Sequence, residues 1–171
     1  MLAIILLVFG IATRFIIHEP NFTPVVALAL FSGAYLNRRY AILLPLALMM
    51  TSDVFLGLHN TIFFTWGCMM AVAFLGVWLR NHKNVFSITA TSLLSAVIFF
   101  IVTNFGVWCM GWYPATFTGL TECFILAVPF FRATAVSTLV YTAVFFGVYE
   151  LVKYRVKETR FARVLLSHQD A

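Results

Sequence analysis

The residues able to do chemistry in this chain are few, and most fall near one end of long apolar runs. Arg14 comes late in the first run and is followed by Glu19 and Asn21; Asp53 lies late in another, with His59 just beyond. Asn104, Trp108, Trp112, Tyr113, Glu122 and Arg132 form a third group further along. Charges inside apolar sequence are costly unless they meet a partner or a wet cavity. Arg14 with Asp53 or Glu19 is therefore a candidate buried ion pair that ties two helices together. The same groups, converging from several elements, are equally a candidate pocket for a small polar molecule. Trp108, Trp112 and Tyr113 fit an aromatic belt at a membrane surface or a wall on which a flat ring stacks. His59 reads as a solvated loop histidine or a ligand contact. Cys68, beside Trp66 and Gly67, reads as a small apolar filler or as a soft ligand to a metal-containing substrate.

No catalytic set accompanies them. HExxH, GxSxG and GxxxxGK are absent, no nucleophile–base pair is legible, and nothing would bind ATP, so neither enzyme activity nor a cofactor is expected. The three cysteines, Cys68, Cys109 and Cys123, lack CxxC spacing, which argues against a disulfide framework or a zinc site.

The elements that must position these groups are membrane helices. Hydrophobic residues make up 63% of the 171 and charged residues 10%, far from soluble-domain usage. Apolar runs at residues 2–17, 24–36, 40–58, 61–79, 85–110 and 121–152 predict an all-α, polytopic integral membrane protein with six transmembrane helices. The first run has no basic flank or cleavage site and is expected to be a retained helix. The last is too long for one crossing, and Pro129 suggests a division into a short piece at 119–128 and a true span at 131–152.

The second run is the unusual one. From Pro24 to Leu36 a helix rises only about 20 Å, short of a hydrocarbon core of roughly 30 Å. The preceding His18-Glu19-Pro20-Asn21-Phe22-Thr23-Pro24 is irregular, with Thr23 or Asn21 as the expected helix cap. Irregular backbone at such depth survives only against protein or a water-filled cavity, so this stretch is expected to line a pocket on one side.

Basic residues give the orientation. Arg38 and Arg39, then Arg80 and Lys83, then the tail from Lys153 onward alternate with connections that carry no Lys or Arg. The positive-inside rule then places both termini in the cytoplasm and the candidate pocket at the outer side. Residues 1–152 form one six-helix domain on this reading, and 153–171 a basic cytoplasmic tail. The net charge of +5 sits in these short clusters, which points to lipid and not to nucleic acid.

Several stretches resemble a bacterial family of uncharacterised six-span proteins. They include Asn21-Phe22-Thr23-Pro24-Val25-Val26-Ala27-Leu28-Ala29-Leu30-Phe31-Ser32-Gly33-Ala34-Tyr35, Ser52-Asp53-Val54-Phe55-Leu56-Gly57-Leu58-His59, Thr103-Asn104-Phe105-Gly106-Val107-Trp108 and Trp112-Tyr113-Pro114. Pro129-Phe130-Phe131 and Gly147-Val148-Tyr149-Glu150-Leu151 extend the likeness toward the tail. That family is similar to the substrate-binding S components of energy-coupling-factor (ECF) vitamin transporters. The resemblance implies six helices, both ends inside, and capture of a vitamin-like micronutrient at the outer face of the bacterial inner membrane. It also implies an ATPase and coupling module as partner, and a related subgroup suggests cobalamin handled through a cysteine, here Cys68. The first helix lacks the alanine-xxx-alanine face that such S components use for docking. A scaffolding membrane protein, its buried charges holding helices together, is the alternative.

Overall fold

The computed structural model describes residues 2–16 and 21–156, and the architecture is all-α. Six helices follow one another: α1 (Leu2–Ile16), α2 (Val25–Tyr35), α3 (Arg38–Leu56), α4 (Ile62–Leu79), α5 (Val85–Cys109) and α6 (Phe117–Val156). Four of them, α3 to α6, are long and apolar enough to cross a membrane, while α1 and α2 are shorter apolar helices.

The short helix α2 is the centre of the molecule. Every residue from Val25 to Tyr35 is buried, as expected for a helix that is apolar on all sides. At eleven residues it is about 16 Å long, half of a bilayer core, so its ends need protein partners. It packs on all five other helices, most extensively α4, then α3 and α6. Against α4 the two backbones nearly touch: a Cβ on Gly33 would lie 2.1 Å from the Ala73 carbonyl oxygen, and one on Gly76 2.2 Å from that of Leu30. The Ala29-xxx-Gly33 face is thus used for close approach, and Gly76 is its counterpart. Against α6, Phe31 and Tyr35 meet Phe146 and Tyr149, with Tyr35 and Tyr149 ring centroids 4.3 Å apart.

The ends of α2 are satisfied in different ways. The last carbonyls of a helix lack intrahelical donors. Here Arg80 Nη2 donates to the Gly33 oxygen at 2.9 Å and also to that of Leu36, so the end of α4 caps the end of α2. At the other end neither Thr23 nor Asn21 serves as the cap. Pro24 itself occupies that position, at φ −78° and with no side-chain cap bond. Its fixed φ already suits a helix start, and its missing N–H is one that would have no partner there. Asn21 stands at φ +60°, a left-handed conformation that asparagine tolerates.

Two further expectations change. The last run does not divide at Pro129: α6 is one helix of 40 residues, with Pro129 inside it. Phe100 of α5 packs on both Phe124 and Phe131, at centroid distances of 5.5 and 4.9 Å, which holds the helix on either side of the proline. Packing thereby outweighs a penalty of about 3 kcal/mol for proline in a helix interior. The helix also runs past residue 152 to Val156, so the expected boundary between domain and tail is not a break in secondary structure. Hydroxyl-bearing residues recur every four positions on α5 (Thr91, Ser95) and α6 (Thr134, Thr138, Thr142), and these are internal packing: all are buried, and Ser92 meets Thr142 at 3.2 Å between the two helices.

Candidate functional site

Asp53 is the one carboxylate buried in the described core, with 1% of its side chain exposed. It sits in the last turn of α3; two helices bring donors to it and a connection brings an imidazole near. Arg14, near the end of α1, donates through Nη1 to Asp53 Oδ1 at 2.7 Å. Trp66, in the second turn of α4, donates its indole N–H to Oδ2 at 2.9 Å. The connection between α3 and α4 supplies the imidazole: Gly57 adopts φ +110°, open to glycine and strained for other residues, and the chain turns there. His59 then stands with Nε2 3.8 Å from Oδ2 and Nδ1 2.9 Å from Thr61 Oγ1.

Arg14 is the hinge of this network. Among the described residues every contact it makes runs through Nη1, which also reaches Ser52 Oγ at 2.5 Å and Met49 Sδ at 3.4 Å. Ser52 passes its own hydrogen to the Leu48 carbonyl at 2.7 Å. Asp53 is closed off, but 19% of the Arg14 side chain and 39% of that of His59 remain exposed. The network therefore has a buried acidic floor and a partly exposed edge made of one guanidinium and one imidazole. Chemically, that edge can hold an anionic or hydrogen-bonding group of a small molecule.

A family model covers nearly the whole of this chain. The family of unknown function DUF6580 matches residues 1–161. The chain belongs to that family. No curated protein and no solved structure matches it.

The other candidate residues of this DUF6580 protein lie apart from Asp53. Asn104 bonds back to the Phe100 carbonyl at 2.7 Å, and its own carbonyl accepts from the Cys123 thiol, joining α5 to α6. Trp108 donates to the Pro114 carbonyl at 3.0 Å, which ties the end of α5 to the following turn. Trp112 is 70% exposed, Tyr113 is half-buried, and Glu122 and Arg132 are exposed on α6. No hydrogen bond or ion pair among the described residues joins this second group to the first. The two meet only through packing, where Phe64 of α4 fills the space beside Gly106 of α5. Asn21 is exposed, and Glu19 and His18 lie outside the described residues. An open groove of about 380 Å³ runs between α5 and α6, lined by Phe100, Leu120, Thr121, Phe124, Ile125 and Val128, and contains none of the candidate residues. Cys68 is buried in the apolar core. Among the described residues no group of three or more His, Cys, Asp or Glu side chains is gathered as a metal would require.

Trp66 is the member of the site that sequence reasoning missed. A signal was available, since a buried carboxylate needs donors and an indole N–H in an apolar helix needs an acceptor. Nothing in the spacing of Asp53 and Trp66 showed that α3 and α4 align them. Trp66→Phe keeps an aromatic ring in place and removes the donor, together with part of the indole's bulk. A loss of about 2 kcal/mol of unfolding stability is expected for a hydrogen bond to a charged group. Thermal unfolding in detergent measures it, and an unchanged midpoint would leave that bond without energetic weight.

Proposed function

We propose that this DUF6580 protein is a multi-pass plasma-membrane protein, with both termini cytoplasmic, that captures a small vitamin-like molecule from the outer side. The observation that carries this reading is the exposed edge of Arg14 and His59 over the buried Asp53 carboxylate. Three elements converge there, and they do so at the end of the bundle that the distribution of Lys and Arg assigns to the outside. Uptake, with an ATPase and coupling module of the ECF type as the energy source, is part of the same proposal. Its support is the sequence likeness given above, together with an arrangement of six helices.

A second reading has an observation in its favour. Both oxygens of Asp53 already hold a protein donor, as in a charge network that serves only to clamp α1, α3 and α4. The two readings part at His59, which is exposed and whose loss should not loosen the bundle. The protein, purified in mild detergent, would be analysed by native mass spectrometry for a co-purifying small molecule, and its melting measured against a panel of water-soluble vitamins. On the binding reading a bound species appears, and His59→Ala weakens it roughly tenfold, in keeping with the loss of one hydrogen bond to a charged or polar partner. No bound species, and no vitamin that raises the melting temperature, would leave the clamp as the better account.

A further inference from the structure

The opposite end of the bundle holds a second cluster of charge. Tyr35, the last residue of α2, donates its hydroxyl to Glu150 Oε1 of α6 at 2.6 Å. Lys83, in the connection between α4 and α5, places its ammonium 4.3 Å from the centre of the same tyrosine ring. Lys153 follows Glu150 by one helical turn. Arg80 is engaged with the carbonyls at the end of α2. Lys83 thus shares this end of the bundle with two further cations, Arg80 and Lys153, and with one carboxylate that is already hydrogen-bonded.

These cations act on one another. Partial burial, and next the charge of Lys153, hold the Lys83 ammonium below the usual lysine range; Glu150 opposes them, and Arg80 adds to the lowering. This end therefore carries more positive than negative charge. Exposed apolar side chains adjoin both lysines along the chain and form its apolar rim: Val85 and Phe86 begin α5 just after Lys83, and Leu151 and Tyr154 flank Lys153. Cations at the edge of exposed apolar surface, at the level where membrane helices end, match one kind of molecule. A phospholipid offers a phosphate for the lysines and acyl chains for the rim.

We propose that the surface where the end of α2, the α4–α5 connection and α6 meet binds the headgroup of one anionic phospholipid, held by Lys83 and Lys153. The phosphate replaces like-charge repulsion with two charge-assisted contacts. The choice of lipid over free phosphate rests on the apolar rim, which a soluble anion would leave uncovered. This inference needs only that the helices span a membrane and is independent of any substrate at Asp53.

The test uses the full chain in nanodiscs, with phosphatidylglycerol or phosphatidylcholine as the probe and native mass spectrometry of the released protein counting retained lipid. One phosphatidylglycerol is expected to be retained in preference to phosphatidylcholine. In Lys83→Gln/Lys153→Gln its affinity should fall about thirtyfold, each basic residue near an anionic surface contributing on the order of fivefold. Lys83→Arg/Lys153→Arg should restore retention, which separates a lost site from a misfolded protein. Arg38→Gln/Arg39→Gln, exposed at the same end, should leave it in place, and the basic tail is kept in all variants. Equal retention of the two lipids, or full retention by the double glutamine variant, would overturn the proposal. Displacement of the lipid by millimolar inorganic phosphate would also overturn it, because the site would then belong to the free anion.

Discussion

Gly76→Val is expected to give a protein that cannot assemble its core. The bulk added at Gly76 meets the Leu30 carbonyl at 2.2 Å, and that atom is backbone, so no side chain can swing aside. To make room, α2 and α4 must part along their whole contact, the most extensive in the molecule. Overpacking in a tight core costs about 1–3 kcal/mol when side chains can adjust, and a backbone contact belongs at or beyond the upper end. Gly33→Ala should act in the same way from the other helix, since its Cβ would meet the Ala73 carbonyl. Gly147→Ala is the control, because a Cβ there meets nothing within 4 Å. The measurement is the yield of monodisperse protein in detergent and its melting temperature. A stable Gly76→Val variant would mean that the helices do not cross as closely as described.

The second large effect belongs to the Arg14–Asp53 pair. Asp53→Asn alone leaves a part-buried guanidinium without its counter-charge, and Arg14→Gln alone leaves a buried carboxylate with only the Trp66 N–H and a distant His59. Breaking one side of a buried pair typically costs about 3–5 kcal/mol, whereas removing both is often close to neutral. The double variant should therefore recover much of the stability that each single variant loses. Thermal unfolding of all four proteins forms a double-mutant cycle, and simple additivity would mean that the two residues are not partners. Ligand binding adds the functional half of the result. A double variant that is stable and also retains a co-purified molecule would assign the pair to structure alone.

Much of this arrangement was legible because the bilayer limits what a sequence can do. Long apolar runs gave five of the six helices nearly to the residue. The cost of charge in such runs points to Asp53 and offers Arg14 as a partner for it or for Glu19; the structure pairs Arg14 with Asp53. The second run reads as too short to cross a bilayer, with pocket-lining irregular backbone before it; what the structure adds is that α2 is buried along its whole length. What failed depends on contacts between elements. Pro129 reads locally as a helix break, and only the packing of Phe124 and Phe131 on Phe100 shows why α6 continues through it. Gly76 reads as one more small residue until Gly33 is set against it. The convergence of several polar residues on one pocket is an expectation from depth, and depth does not fix the angle around the bundle; no hydrogen bond or ion pair among the described residues joins the Asp53 network to the group on α5 and α6.

The burial of α2 also bears on how the protein is made. On the membrane location proposed above, helices are delivered to the bilayer in order, and α2 leaves the ribosome before α4 and α6, the partners that cover it. An eleven-residue helix is too short to stand alone across the bilayer, and its last carbonyls have no donor until Arg80 has been synthesised. The chain must therefore hold α2 in some provisional place, at the interface or within the insertion machinery, until the second half arrives. Its Phe31 and Tyr35 rings wait for Phe146 and Tyr149, more than a hundred residues later. Biogenesis of this fold is thus a late closing around an element inserted early, and a chain released before α6 would carry an unfinished core into the lipid.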